Sequence, residues 1–183
     1  MIKEEPKLKN ESRTQRLAKT NYWDELLRLR DEERERNKEA VIIVKGKELP
    51  WEVNKQGVMR WYLHPCILDT VIKPFIFFVQ KIPPGSRSGQ LTFQGGQVIY
   101  AWKGRGHTIL DETRYDWQAG DVIQFPLKIA GVTFQHYNDD ENEPAELICV
   151  EADTIGALGV DKGSGFEQSE FSPEYEAEKR SKL

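Results

Sequence analysis

Two cysteines and three histidines are all that this 183-residue chain supplies of the side chains that hold transition metals best. Cys66 and Cys149 lie far apart with no Cys-x-x-Cys spacing, which argues against a disulfide framework and predicts reduced thiols with core roles. A surplus of positive charge is also missing. The 26 Lys and Arg stand against 30 Asp and Glu, a net charge of −4, and the two signs are interleaved, so nucleic acid is not expected as a partner. No apolar run is long enough to cross a bilayer, and the opening MIKEEPKLKN lacks the apolar centre of a secretion signal. The expectation is a soluble cytoplasmic protein with no membrane partner; the final Ser181-Lys182-Leu183 would be a peroxisomal address only in a eukaryotic host.

What apolar material there is sits in the middle of the chain. Charged residues make up 31% and the hydrophobic set 38%, and the length suits one domain with extensions. Residues 1–40 read as an N-terminal arm followed by a charged helix. Its first 20 or so residues have few apolar anchors and are expected to be mobile. From Thr20 or Asn21, which can cap a helix, Tyr22, Leu26 and Leu29 recur on one face, and the helix should run to about residue 38, held in its second half by pairs such as Glu32 with Arg36. Residues 41–155 read as the β domain, with strands expected near 41–44, 58–63, 75–82, 97–102, 108–111, 114–117, 121–125, 132–137 and 145–151, separated by turn residues. Strands this short and this regularly spaced predict an antiparallel sandwich or barrel. Residues 156–183 read as a Gly- and Glu-rich tail, with Phe166, Phe171 and Tyr175 as anchor points.

Within 84–138 the turn residues follow a recognisable frame. Gly85, Leu91-Thr92-Phe93, Gln97 and Gly104 form one half; Gly120, Pro126, Gly131, Phe134 and Asn138 form the other. This spacing resembles the two motifs of the cupin superfamily, and the resemblance implies a mainly β fold: a cupin-type antiparallel β-barrel, or jelly roll, with an N-terminal helical extension and a C-terminal tail. In metal-bearing cupins two histidines and a glutamate of the first motif and a histidine of the second hold one metal. Here those positions are Leu91, Phe93, Gln97 and Phe134, which offer a single neutral amide, so no metal and no cofactor is expected. The turn glycines have a separate task, and the fold can outlast the metal.

The interior is expected to hold Leu91, Phe93, Tyr100, Trp102, Phe125 and Phe134, subject to strand alternation, and to be filled by them, with an aromatic-lined cavity as the alternative. Alternation also points His136 inward beside the vacated positions, where it is the weak candidate for a catalytic acid or base; His64 and His107 would need unusual geometry to join it. Leu91, Phe93, Gln97, Phe134 and His136 are thus the candidate ligand-binding residues. Gly95-Gly96 before Gln97, with the stretches 98–102 and 115–121, are most similar to the gentisate and hydroquinone ring-cleaving dioxygenase branch, some of whose members pair a larger iron-bearing cupin chain with a smaller chain whose metal site has decayed. That resemblance implies a non-catalytic small subunit of an aromatic-degrading enzyme, docking on a larger metal-bearing cupin subunit through Tyr22, Trp23, Leu26 and Trp61. The alternatives are a homodimeric module that binds a small aromatic ligand without metal, and a metal-independent enzyme using His136.

Overall fold

The computed structural model describes residues 12–153 and 167–182. Of the arm expected to be mobile over residues 1 to about 20, residues 1–11 lie outside them, as does the anchor Phe166, and the remainder holds a short helix. The chain divides into two compact units, residues 1–40 and 41–183.

In the first unit, α1 (Arg13–Leu17) starts on a Ser12 capping box and α2 (Tyr22–Lys38) on Asn21, whose side-chain oxygen accepts from the backbone N–H groups of Trp23 and Asp24. The expected helix is present within two residues of its predicted start. Its charges pair along the surface: Arg28 holds both Glu25 and Glu32, Arg36 holds Glu33, and Lys38 holds Glu35. No residue of α2 is buried.

Among the described residues the second unit has eleven strands in two antiparallel sheets, so the mainly β expectation is met. The first sheet runs β1 (Glu52–Asn54), β2 (Gly57–Leu63), β3 (Phe75–Ile82), β10 (Ala145–Ala152), β5 (Val98–Lys103), β8 (Val122–Gln124). The second runs β11 (Glu167–Glu170), β4 (Gln90–Phe93), β9 (Val132–Asn138), β6 (Arg105–Leu110), β7 (Thr113–Gln118). Period-two alternation puts Met59, Phe78, Ile82, Ile99, Ala101, Leu147 and Cys149 of the first sheet on one side of it, and Leu91, Phe93, Trp117, Val132 and Phe134 of the second complete the same core. Burying these side chains is the main stabilising contribution, about 1.5–3 kcal/mol for each large one.

The same alternation corrects two interior assignments. Ile99 and Ala101 take the inward positions of β5, so Tyr100 and Trp102 point outward, Trp102 with 61% of its surface exposed. The β-branched run at 41–44 is not a strand either. Val41 makes one isolated bridge to Thr70, and Ile42 and Ile43 are exposed, because β-propensity yields a strand only where a neighbour supplies the ladder. Of the cysteines, Cys149 lies in the core as expected and Cys66 is exposed.

The frame glycines sit where the chain must adopt positive φ: Gly85, Gly104, Gly120 and Gly131 have φ of 63°, 87°, 101° and 78°. Gly95 has a second constraint, since a Cβ there would lie 2.0 Å from the Pro126 carbonyl oxygen. Asn138 is a turn organiser. Its Nδ2 donates to the carbonyls of Ile82, Pro83 and Glu143 at 2.8–3.0 Å, and its Oδ1 accepts from the Asp140 N–H, which ties the ends of three strands together.

Residues 167–182 do more than trail from the domain. β11 pairs with β4, and α3 (Pro173–Ser181) begins at Ser172, which is fully buried and accepts from the Tyr175 N–H while donating to the Asn54 carbonyl.

Candidate functional site

Phe93, Phe125 and Phe134 meet with ring centroids 4.7–6.1 Å apart, and His136 stacks on Phe125 at 5.9 Å. This aromatic cluster fills one part of the space between the sheets. The other part is hollow. A pocket of about 430 Å³ is lined by Met59 and Trp61 of β2, Phe78 and Gln80 of β3, Leu91 of β4, Phe134 of β9, Gln97 and Glu151, with Val53, Lys55, Gln56, Gln168 and Tyr175 around it. The expectation of a filled interior therefore holds for the aromatic half alone.

Three of the four vacated metal positions border this pocket: Leu91, Gln97 and Phe134. Leu91 and Phe134 are register partners across β4 and β9, while Phe93, opposite Val132, is drawn into the aromatic cluster. The donor set fails the test for a metal. Three hydrocarbon side chains provide no lone pair, and the Gln97 amide nitrogen is engaged as a donor to Glu151 Oε2 at 2.8 Å.

Glu151 is the functional group that the motif frame does not contain. It sits on β10 two residues beyond Cys149 and four beyond Leu147, in the same inward register, opposite Ile76 of β3. Among the described residues Gln97 is its sole hydrogen-bond partner, and no cation pairs with it. Burial in apolar surroundings raises its pKa from 4.5 to about 6, and the Gln97 hydrogen bond offsets only part of that rise. The sequence did carry a signal: a carboxylate in phase with inward Leu147 and Cys149 on a strand of period two.

His136 belongs to the packed half. Its Nδ1 shares a 2.7 Å hydrogen bond with Thr108 Oγ1, which itself accepts from Trp117 Nε1 at 3.0 Å. Burial lowers its pKa from 6.5 to about 3. A general acid or base needs access and a pKa nearer neutrality, and His136 lines none of the pockets described here. His64 accepts from the Cys66 N–H and meets the Trp61 ring edge-on.

His107 lies in a different place and company. Its ring stacks on Tyr137 at 4.6 Å, and its Nδ1 contacts both Asp139 oxygens at 2.8 and 3.0 Å. With Asp116 these side chains form a triad whose ligand atoms lie within 4.8 Å of one another, a possible metal-binding cluster. Arg114 already holds both carboxylates, Asp116 at 2.7 Å and Asp139 at 3.0 Å, and so occupies the place of a cation. A larger cleft of about 710 Å³ opens between β7 and β8, but most of its lining, including Tyr115, Asp116, Asp121 and Val122, is exposed to solvent.

Of the expected docking residues, Tyr22, Trp23 and Leu26 lie on α2 and are exposed, whereas Trp61 is half-buried in the pocket wall with its ring 5.0 Å from Phe78.

Two antiparallel sheets, with positive-φ glycines at the frame positions, thus enclose a pocket beside β9. Residues 78–151 match the family model described as "Cupin domain". The fold is similar to that of oxalate decarboxylase from Bacillus subtilis (TM-score 0.53, 16% identity, 70% of this chain and 32% of that one). It is also similar to the polyketide cyclase RemF from Streptomyces resistomycificus (TM-score 0.54, 12% identity, 76% and 93%) and to vicilin from hazelnut, Corylus avellana (TM-score 0.50, 18% identity, 69% and 35%). At these identities the likeness is one of fold. The chain spans about a third of the length of the oxalate decarboxylase chains. No curated protein sequence gives a significant match. No helix among the described residues is long and apolar enough to cross a membrane.

Proposed function

We propose that this protein is a metal-free cupin that binds a small, largely apolar metabolite between its sheets. The observation that carries this reading is the pocket of about 430 Å³, which has hydrocarbon and a single amide at the vacated metal positions and one partly buried carboxyl in its wall. Its volume lies at the lower end of the ~300–1,000 Å³ typical of ligand pockets, and a mostly apolar lining with few polar groups is the usual composition of such sites. A thermal-shift screen of the full chain against monocyclic aromatics and quinols should raise the melting midpoint with at least one compound, because ligands that bind the native state must stabilise it. Silence across the whole panel would discard the reading.

A second reading assigns the chain to an aromatic ring-cleaving dioxygenase as its non-catalytic small subunit. It is supported by the exposed Tyr22, Trp23 and Leu26 on α2 and by the outward apolar row Val98, Tyr100, Trp102 and Val122 on β5 and β8, which suit a protein partner such as a larger metal-bearing cupin chain. In this role the pocket would shape or cap the partner's site. Light scattering and activity assays of the isolated chain test it: a stable homodimer with full turnover of its own would count against a subunit role.

A further inference from the structure

We infer that the Gln97–Glu151 pair selects the pocket's ligand, admitting neutral hydroxyl-bearing compounds of the phenol class and rejecting carboxylates. The inference rests on the proposed function, since it names the chemistry of a ligand in that same pocket.

The pocket wall is hydrocarbon over most of its surface, formed by Met59, Trp61, Phe78, Leu91 and Phe134. Such a surface favours a ring but cannot orient it, so orientation falls to the polar side chains of the lining; of these, Gln80 Nε2 already donates to the Gln56 carbonyl and Gln168 Nε2 to those of Gln90 and Glu170, and Glu151 is the lining carboxylate. Glu151 carries two carboxylate oxygens, and the one hydrogen bond from Gln97 leaves acceptor capacity unused. An ionised carboxylate accepts and does not donate. A phenolic O–H supplies the missing donor, whereas a ligand carboxylate would place a second negative charge beside the first in a site of low dielectric constant.

The protonation state sets when this selection operates. With a pKa of about 6, Glu151 is ionised at pH 8 and largely neutral at pH 5. A donor hydroxyl stabilises the ionised form, so the preference for it should be full above the pKa and shrink as pH falls through it. The titratable groups that face Glu151 are few. Lys55, in the β1–β2 turn, and Tyr175, on α3, share the pocket lining; Cys149 is its inward neighbour on β10, and β3 and β5 contribute none beside it.

The experiment titrates the full-length protein with toluene, phenol and benzoate at pH 8 and pH 5, read by calorimetry, for the native sequence and for Glu151→Gln. At pH 8 phenol should bind about tenfold or more tighter than toluene, the ratio that one charge-assisted hydrogen bond gives, and benzoate should not bind. The phenol-to-toluene ratio should fall at pH 5 and should be small and pH-independent in Glu151→Gln, while toluene affinity stays within about twofold across both proteins and both pH values. Toluene and phenol binding equally at pH 8, or a ratio unchanged by Glu151→Gln, overturns the inference and leaves the binding-pocket reading standing. Failure of every compound to bind the native protein sinks both.

Discussion

Burial sets the protonation of two interior side chains in opposite directions, and the pH dependence of stability follows from both. His136 has a folded pKa of about 3 against 6.5 in solution, so its contribution to stability is fully present above pH 6.5 and is lost as pH falls from there towards 3. Glu151 has a folded pKa of about 6 against 4.5, so the native state binds more protons, and stability is highest below pH 4.5 and declines as pH rises to 6. Between pH 4.5 and 6 the two slopes, each at most about 1.4 kcal/mol per pH unit, oppose one another, and the native protein should show little net dependence from this pair. Urea unfolding of two variants separates them. Glu151→Gln should be more stable than the native protein at pH 8 by up to about 2 kcal/mol, and should lose stability steeply as pH is lowered through this window. His136→Gln should be less stable at pH 7 and should gain stability over the same descent. Parallel profiles for all three proteins would show that these groups are not buried as described.

At the scale of the element, alternation explains both what the sequence disclosed and what it hid. The Phe134, His136, Asn138 series of β9 was legible as a strand with a defined inward face, and all three residues are buried; the apolar run of β3 was legible as a strand, but not its inward face of Phe78, Gln80 and Ile82. Position 41–44 has the composition of a strand without a partner to complete its ladder, and composition cannot report a neighbour. Glu151 was hidden for a different reason. A carboxylate near the end of a strand ordinarily marks its solvated end, whereas this one lies in the pocket wall beside Gln97. The β6–β7 hairpin offers a test of local conformation. Its two turn residues, Asp111 and Glu112, have φ of 46° and 69°, the geometry that favours glycine at the tip of a two-residue hairpin. Asp111 is held there, accepting from the Thr133 N–H at 2.8 Å and from Lys128 at 2.6 Å, contacts that keep its carboxyl below the usual range. No comparable contact holds Glu112 among the described residues, so Glu112→Gly should stabilise the protein by about 0.5–1 kcal/mol in thermal or urea unfolding. Asp111→Gly, which forfeits those contacts, should not.

For the whole molecule, the local frame of turns was readable and the closing contacts were not. Gly85, Gly104, Gly120 and Gly131 announced the order of hairpins because each meets a backbone requirement within a few residues. The pocket depends on pairings across the length of the chain, which spacing does not encode: Gln168 and Tyr175, near the C-terminal end, share its wall with Val53 and Lys55 from the start of the β domain. The segment read as a tail instead forms α3, which Ser172 caps with Pro173 at its first turn and Glu174 and Glu176 close behind. Ser172 joins these distant pieces, its N–H donating to the Lys55 carbonyl at 2.9 Å and its hydroxyl to that of Asn54 at 3.2 Å. Truncation after residue 166 should therefore do two things at once. It should expose the edge of β4 and lower the melting midpoint by about 10 °C, the shift that a loss of about 3 kcal/mol gives in a chain of this size. It should also abolish the ligand-induced rise in midpoint, because one wall of the pocket leaves with α3. Ser172→Ala removes only the cap and the Asn54 contact, and should cost about 1 kcal/mol while ligand binding survives. If the truncated protein still binds with native affinity, the wall formed by residues 167–182 is not part of the site, and the cavity must be closed by the two sheets alone.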